Sequence, residues 1–170
     1  TYASSTGTAN CAICLGGKYS SSEGAHICTS CPGGKYSGDK ATSCTPCSAG
    51  YYARSAGSAK CSACQAGRYS AASAKTCTNC AAGTYNGNTG QASCNECPAG
   101  KAAVSGSLKC ETCGPGSYSL IKAPQCTSCT DGTISSAGAS VCTACAAGKY
   151  AETTNDDKCI VCAKGKYQDK

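Results

Sequence analysis

Cys31-Pro32-Gly33-Gly34-Lys35-Tyr36-Ser37-Gly38-Asp39-Lys40-Ala41-Thr42-Ser43-Cys44-Thr45-Pro46-Cys47 decides the fold: a Cys, a Gly-rich corner, a Lys-Tyr step, a polar loop and a closing Cys-x-x-Cys. The closing motif recurs down the chain, with pairs beginning at Cys11, Cys28, Cys44, Cys61, Cys77, Cys94, Cys110, Cys126, Cys142 and Cys159. Successive starts lie 16 or 17 residues apart, so residues 1–170 read as one continuous array of about ten small units and not as a conventional globular domain. Units of this kind stack on their neighbours along an axis.

Composition explains why the units need cross-links. Of 170 residues 20 are Cys and 21 are Gly, while Phe, Trp and Met are absent. The large aliphatic side chains are Leu15, Leu108, Leu120, Val104, Val141, Val161, Ile13, Ile27, Ile121, Ile134 and Ile160, too few for a sizeable hydrophobic core. So many thiols would be redundant in a reducing cytosol and read as a disulfide scaffold, which implies an oxidising compartment, secreted or at a cell surface. No run of apolar residues is long enough to span a bilayer. The net charge is +6, but Lys and Arg are scattered singly, without the concentrated basic stripe a nucleic-acid partner needs.

Within the frame C-x-x-G-x-Y the Gly never varies: Gly17, Gly34, Gly50, Gly67, Gly83, Gly100, Gly116, Gly132, Gly148 and Gly165. Such a position needs a positive φ or the close approach of another backbone, as in a tight turn, and Pro32, Pro98 and Pro115 suit that turn. Tyr follows two residues later in eight of ten copies and leaves the turn on a short extended segment. A second Gly four residues before the next Cys, at Gly24, Gly57, Gly90, Gly106 and Gly138, suggests a second bend. Gaps between pairs of 12 or 13 residues alternate at first, which hints at a two-unit period. No window carries helical periodicity. The expected fold is a small disulfide-rich repeat protein, an elongated ladder or solenoid with very short strands, loops and almost no helix.

Zinc is the competing use of repeated Cys-x-x-Cys. Every gap here has the same length and the same Gly-Tyr content, so no two pairs are singled out as one tetrathiolate, and charged residues to screen a row of such sites are only 14 %. Disulfides are preferred, and no metal, cofactor or catalytic residue is expected. The favoured connectivity joins the second Cys of each pair to the first of the next: Cys14 with Cys28, Cys31 with Cys44, Cys47 with Cys61, Cys64 with Cys77, Cys80 with Cys94, Cys97 with Cys110, Cys113 with Cys126, Cys129 with Cys142 and Cys145 with Cys159. Each closes a loop of about 14 residues, for about 3 kcal/mol in the chain-entropy model. The runner-up joins first to first and second to second across neighbouring units, as Cys11 with Cys28 and Cys14 with Cys31. The favoured ladder leaves Cys11 and Cys162 for an intersubunit or flanking-repeat disulfide. Thr1-Tyr2 stands before Cys11 as Lys18-Tyr19 stands before Cys28, so the chain is expected to be a window of a longer array or a subunit joined end to end to its copies.

The frame C-x-x-G-x-Y…C-x-x-C resembles the first segment of tumour-necrosis-factor-receptor repeats, a likeness that implies the Cys14 to Cys28 pairing. Across nearly the whole chain, phrases such as Cys97-Pro98-Ala99-Gly100-Lys101 and Cys31 to Tyr36 resemble ciliate surface immobilisation antigens and related ephrin-receptor-like repeats. Giardia variant surface proteins share the Cys-x-x-Cys abundance more loosely. Likeness to immobilisation antigens implies an abundant, glycolipid-anchored coat protein; the apolar C-terminal signal of that family is not in this sequence.

His26, the single histidine, reads as a loop residue. Asp156-Asp157 reads as a solvated turn before a cation site. Lys18, Lys35, Arg68, Lys101, Lys149 and Lys166 share the position after the Gly and either form a solvated stripe or meet anionic glycans. The Tyr series either packs on disulfides or stacks sugars. There is no Asn-x-Ser/Thr sequon, while the Ser/Thr-rich loops are open to O-glycosylation. Together these features point to a non-enzymatic extracellular structural protein, a cell-surface coat or fibre, with a glycan- or protein-binding adhesion module as the alternative.

Overall fold

The computed structural model describes residues 11–151 and 157–166. Tyr2, Asp156 and Tyr167, on which readings of the termini and the acidic loop fell, lie outside these residues. The chain forms two compact units: Thr1–Asn79 with Asn88–Cys94, and Cys80–Gly87 with Asn95–Lys170. Both are stacks of two-stranded antiparallel hairpins, and the described residues contain no helix. The fold is that of a small disulfide-rich repeat protein.

The first unit holds four hairpins: β1 (Lys18–Tyr19) with β2 (Thr29–Ser30), β3 (Lys35–Tyr36) with β4 (Thr45–Pro46), β5 (Tyr51–Tyr52) with β6 (Ser62–Ala63), and β7 (Arg68–Tyr69) with β8 (Thr78–Asn79). The second holds five: β9 (Thr84–Tyr85) with β10 (Asn95–Glu96), β11 (Lys101–Ala102) with β12 (Glu111–Thr112), β13 (Ser117–Tyr118) with β14 (Thr127–Ser128), β15 (Thr133–Ile134) with β16 (Thr143–Ala144), and β17 (Lys149–Tyr150) with β18 (Ile160–Val161). Lys18 pairs with Ser30 and Tyr19 with Thr29, and the other hairpins repeat that register.

Each hairpin is launched by a tight turn. The Lys18 N–H donates to Leu15 O at 3.1 Å across Gly16 and Gly17, and Gly17 has φ +85°, the left-handed region required at the third position of a type II turn. Pro115 occupies the second position of the equivalent turn, where its fixed φ fits; Pro32 and Pro98 instead supply the first carbonyl, accepting from Lys35 and Lys101. The chain returns through the first Cys of the next pair. The Cys31 N–H then closes the hairpin on Gly17 O at 2.8 Å.

A disulfide spans each hairpin. The bridges are Cys14–Cys28, Cys31–Cys44, Cys47–Cys61, Cys64–Cys77, Cys97–Cys110, Cys113–Cys126, Cys129–Cys142 and Cys145–Cys159, with Cα separations of 5.6 to 5.8 Å. Cys80 and Cys94 are disulfide-bonded as well.

Three main-chain hydrogen bonds join successive hairpins from the first to the fourth and from the fifth to the eighth. In the first unit Gly17 N–H donates to Ser37 O (2.8 Å), Ser20 N–H to Ala41 O (3.1 Å) and Lys40 N–H to Cys14 O (2.7 Å). In the second unit Gly100 N–H donates to Ser119 O (2.8 Å), Ala103 N–H to Ala123 O (3.2 Å) and Lys122 N–H to Cys97 O (2.8 Å). Among the described residues the one four before the closing Cys is left-handed: Gly24, Lys40, Gly57, Ser73, Gly90, Gly106, Lys122 and Gly138 have φ between 60° and 78°. Alternating loop lengths are absorbed between the Tyr and this residue, five steps from Tyr19 to Gly24 and four from Tyr36 to Lys40. Neighbours therefore meet through the same bonds whichever gap separates them, and the structural repeat is one unit, not two.

The core is made of sulfur and small side chains. Cys14, Cys31, Cys64, Cys80 and Cys97 are wholly buried, and so, nearly, is the residue three after the invariant Gly in eight units: Ser37, Ala53, Ser70, Asn86, Ala103, Ser119, Ser135 and Ala151, whereas Ser20 at the same position of the first hairpin is half-buried. Leu15, Ile27, Val104, Leu108, Leu120, Ile121, Val141 and Val161 are exposed. Burial of aliphatic surface thus contributes little, and disulfides with main-chain bonds do the holding. No helix of the described residues is long and apolar enough to cross a membrane.

Candidate functional site

At five of its ten positions the invariant Gly is fixed by two constraints at once. Gly17, Gly34, Gly50, Gly83 and Gly100 have φ between 80° and 87°. A β-carbon built on Gly17 would also lie 1.9 Å from Gly57 O, two hairpins on; Gly50 meets Gly90 O at 2.0 Å and Gly100 meets Gly138 O at 2.0 Å. Gly67, Gly116, Gly132, Gly148 and Gly165 share the positive φ.

The residue after Tyr was not singled out in the sequence. At this register position Ser side chains after the first hairpin donate back to the preceding hairpin: Ser37 Oγ to Lys18 O (3.0 Å), Ser70 Oγ to Tyr51 O (3.1 Å), Ser119 Oγ to Lys101 O (3.0 Å) and Ser135 Oγ, after Ile134, to Ser117 O (2.9 Å). The signal that reveals it is a column of Ser, Ala and Asn in register with Tyr, visible once the units are aligned. Lys40, Ser73 and Lys122 were likewise missed as members of the second bend, because a left-handed Lys or Ser carries no mark beyond its distance from the next Cys.

Among the described residues the Tyr side chains are half-buried, apart from the exposed Tyr51, and Tyr36, Tyr51, Tyr52 and Tyr150 stand at the walls of shallow clefts. A cleft of about 260 Å³ is lined by Tyr52, Arg54, Ala63, Gln65, Arg68, Thr76 and Cys77. Tyr36, Ser48, Tyr51, Lys60 and Cys61 surround one of about 310 Å³, and Lys18, Leu15, Ile13, Ile27 and Cys28 contribute to one of about 460 Å³. In the second unit Tyr150, Val161, Cys162, Ala163 and Lys166 line a fourth of about 380 Å³. The same register positions recur: the residue after the second Cys and the one after the invariant Gly. Of the basic series, Lys18, Arg68 and Lys166 therefore sit in clefts, while exposed Lys101 and Lys149 and half-buried Lys35 lead their strands.

Cys11 is an exposed free thiol and Cys162 a half-buried one. His26 is exposed. Among the described residues no three His, Cys, Asp or Glu gather as a metal site. The ion pairs Lys109–Glu111 (3.2 Å) and Lys122–Glu96 (2.8 Å) lie on the surface, where such pairs contribute at most about 1 kcal/mol.

Comparison with known families finds one described as tyrosine-protein kinase ephrin type A/B receptor-like, matching residues 34–69 and 67–105. Each match covers about two hairpins. No curated protein matches the chain. With the regularly spaced disulfides, the family match supports a cysteine-rich repeat family and suggests an extracellular module, of a receptor-like kind that is typically non-enzymatic.

Proposed function

We propose that the chain is an extracellular structural array, a disulfide-laddered rod that builds a cell-surface coat or a fibre, as the immobilisation antigens it resembles would suggest. The observation that carries this reading is the uniformity of the stack: the same three main-chain bonds recur from hairpin one to four and from hairpin five to eight, and the exposed loop side chains are left free to vary. Propagation of such contacts needs no specialised partner, and a stack whose end complements its start extends by adding further repeats. In this reading Cys11 and Cys162 pair with a flanking repeat or with a second copy, and exposed loop Ser and Thr carry O-linked sugar. Electron microscopy of the native material tests it: long filaments or a continuous layer are expected, and isolated short particles without end-to-end contact would refute it.

A binding or adhesion module is the second reading. What favours it is the recurrence of Tyr-walled clefts that each hold a basic residue, which follows the invariant Gly in two of them, at Arg68 and Lys166.

A further inference from the structure

One cleft differs from the others in its charge. The 260 Å³ cleft of the first unit gathers Arg54 and Arg68 with Tyr52, Gln65 and Thr76, and no carboxylate lines it. Arg54, two residues after β5, and Arg68, which opens β7, come from successive hairpins, so the stacking itself brings both residues to the lining of one cleft. Both residues are exposed. Two cations converging on a polar recess favour an anion there. The planar guanidinium fork further favours an oxyanion that accepts paired N–H bonds.

The remaining wall narrows the ligand. Tyr52 presents an apolar body with a polar tip, and Gln65 and Thr76 offer donors and acceptors suited to hydroxyl groups. The volume falls just below the usual range for drug-sized ligands, roughly 300 to 1,000 Å³, which fits one ring of a chain that continues outside. In an oxidising extracellular setting the abundant polymers combining rings, hydroxyls and oxyanions are acidic polysaccharides.

We propose that this cleft binds one residue of a sulfated polysaccharide, with Arg54 and Arg68 on the sulfate oxygens and Tyr52, Gln65 and Thr76 against the sugar. The proposal rests on the second reading above and supplies its ligand class; it is independent of whether the chain forms a fibre.

The test is titration of the oxidised chain with dextran sulfate, monitored by calorimetry, with unsulfated dextran of equal length, inorganic sulfate and single-stranded DNA run in parallel. Dextran sulfate binds; the double variant Arg54→Gln/Arg68→Gln loses at least about tenfold in affinity. Arg54→Lys/Arg68→Lys, which keeps the charge but not the fork, loses severalfold. Lys109→Gln, which removes one charge outside every cleft, binds as the parent does. Thermal unfolding and a thiol count verify that each variant is folded and oxidised. Full affinity in the Lys double variant means that overall charge alone attracts the polymer, and overturns the site. Inorganic sulfate competing at equal strength, or DNA binding more tightly than dextran sulfate, overturns the sugar assignment. Undiminished binding in the Gln double variant overturns this cleft while leaving a binding module elsewhere in the array standing, and no binding of dextran sulfate by the parent overturns the proposal outright.

Discussion

Gly83 lies so close to Lys122 that a β-carbon on the glycine would stand 2.1 Å from the lysine carbonyl oxygen, although the residues are two hairpins apart. Gly83 also has φ +80°, so a side chain there faces both an unfavourable backbone conformation and a main-chain obstacle that cannot rotate away. Gly83→Val is expected to cost more than about 3 kcal/mol and to lower the yield of correctly oxidised protein. Lys101→Ala, on an exposed strand position, is expected to stay within about 0.5 kcal/mol. Equal thermal stability and disulfide yield in the two variants would remove the basis for the turn assignment.

Positive φ and close approach are separable in this fold. Gly50 has φ +85° and its β-carbon would meet Gly90 O at 2.0 Å; Gly57 has φ +78°, but its nearest neighbour would be Ser30 Oγ at 3.9 Å. Gly57→Ser should therefore cost only about 1 kcal/mol, the left-handed penalty alone, while Gly50→Ser costs severalfold more. The reciprocal change, Ser73→Gly, removes a non-glycine residue from φ 60° and should stabilise by about 1 kcal/mol or less. Chemical denaturation of the oxidised variants reads all three, and similar losses for Gly50→Ser and Gly57→Ser would show that backbone conformation alone holds the invariant glycine.

The period of Cys, Gly and Tyr made the fold class readable, because a unit that recurs every 16 or 17 residues without helical periodicity leaves only turns and very short strands. The reason for the glycine was legible in kind but not in partner: Gly17 gives no hint in sequence that Gly57 O fills the space its side chain would need. Ser37 and Ser119 were hidden because a buried Ser in a Ser- and Ala-rich loop looks like its exposed neighbours. The Arg54 and Arg68 pairing was hidden for a different reason. They occupy different register positions, and only the stacking of successive hairpins brings them to one cleft.

The buried column after Tyr sets a size limit. Ser119 is 2 % exposed and its hydroxyl donates to Lys101 O at 3.0 Å. Ser119→Ala loses one hydrogen bond but fits a position that holds Ala at Ala53 and Ala103, so a loss of about 1 kcal/mol is expected. Ser119→Leu adds bulk where adjacent backbones are already bonded, and should cost at least about 3 kcal/mol. If thermal unfolding shows Leu tolerated as well as Ala, the small-residue column is not what lets the hairpins stack.

The last prediction concerns what replaces the missing aliphatic core. With Leu15, Leu108 and Leu120 exposed and the second Cys buried in the first eight pairs, little apolar area remains to hold a hairpin once its bridge is opened. Removing Cys97–Cys110, which spans 13 residues, by a double Cys→Ala change should cost about 3 kcal/mol. The buried Cys97 position also loses its sulfur packing, whereas the half-buried Cys110 position loses little. Because Lys122 N–H donates to Cys97 O, the next hairpins lose their seat as the first one loosens. Amide exchange in the double variant should accordingly accelerate in residues 97 to 126 before it does in residues 129 to 150. Full reduction should abolish protection throughout, while a zinc chelator leaves the oxidised chain unchanged. Protection that survives complete reduction, or that collapses on adding the chelator, would show that something other than the disulfide ladder holds the array together.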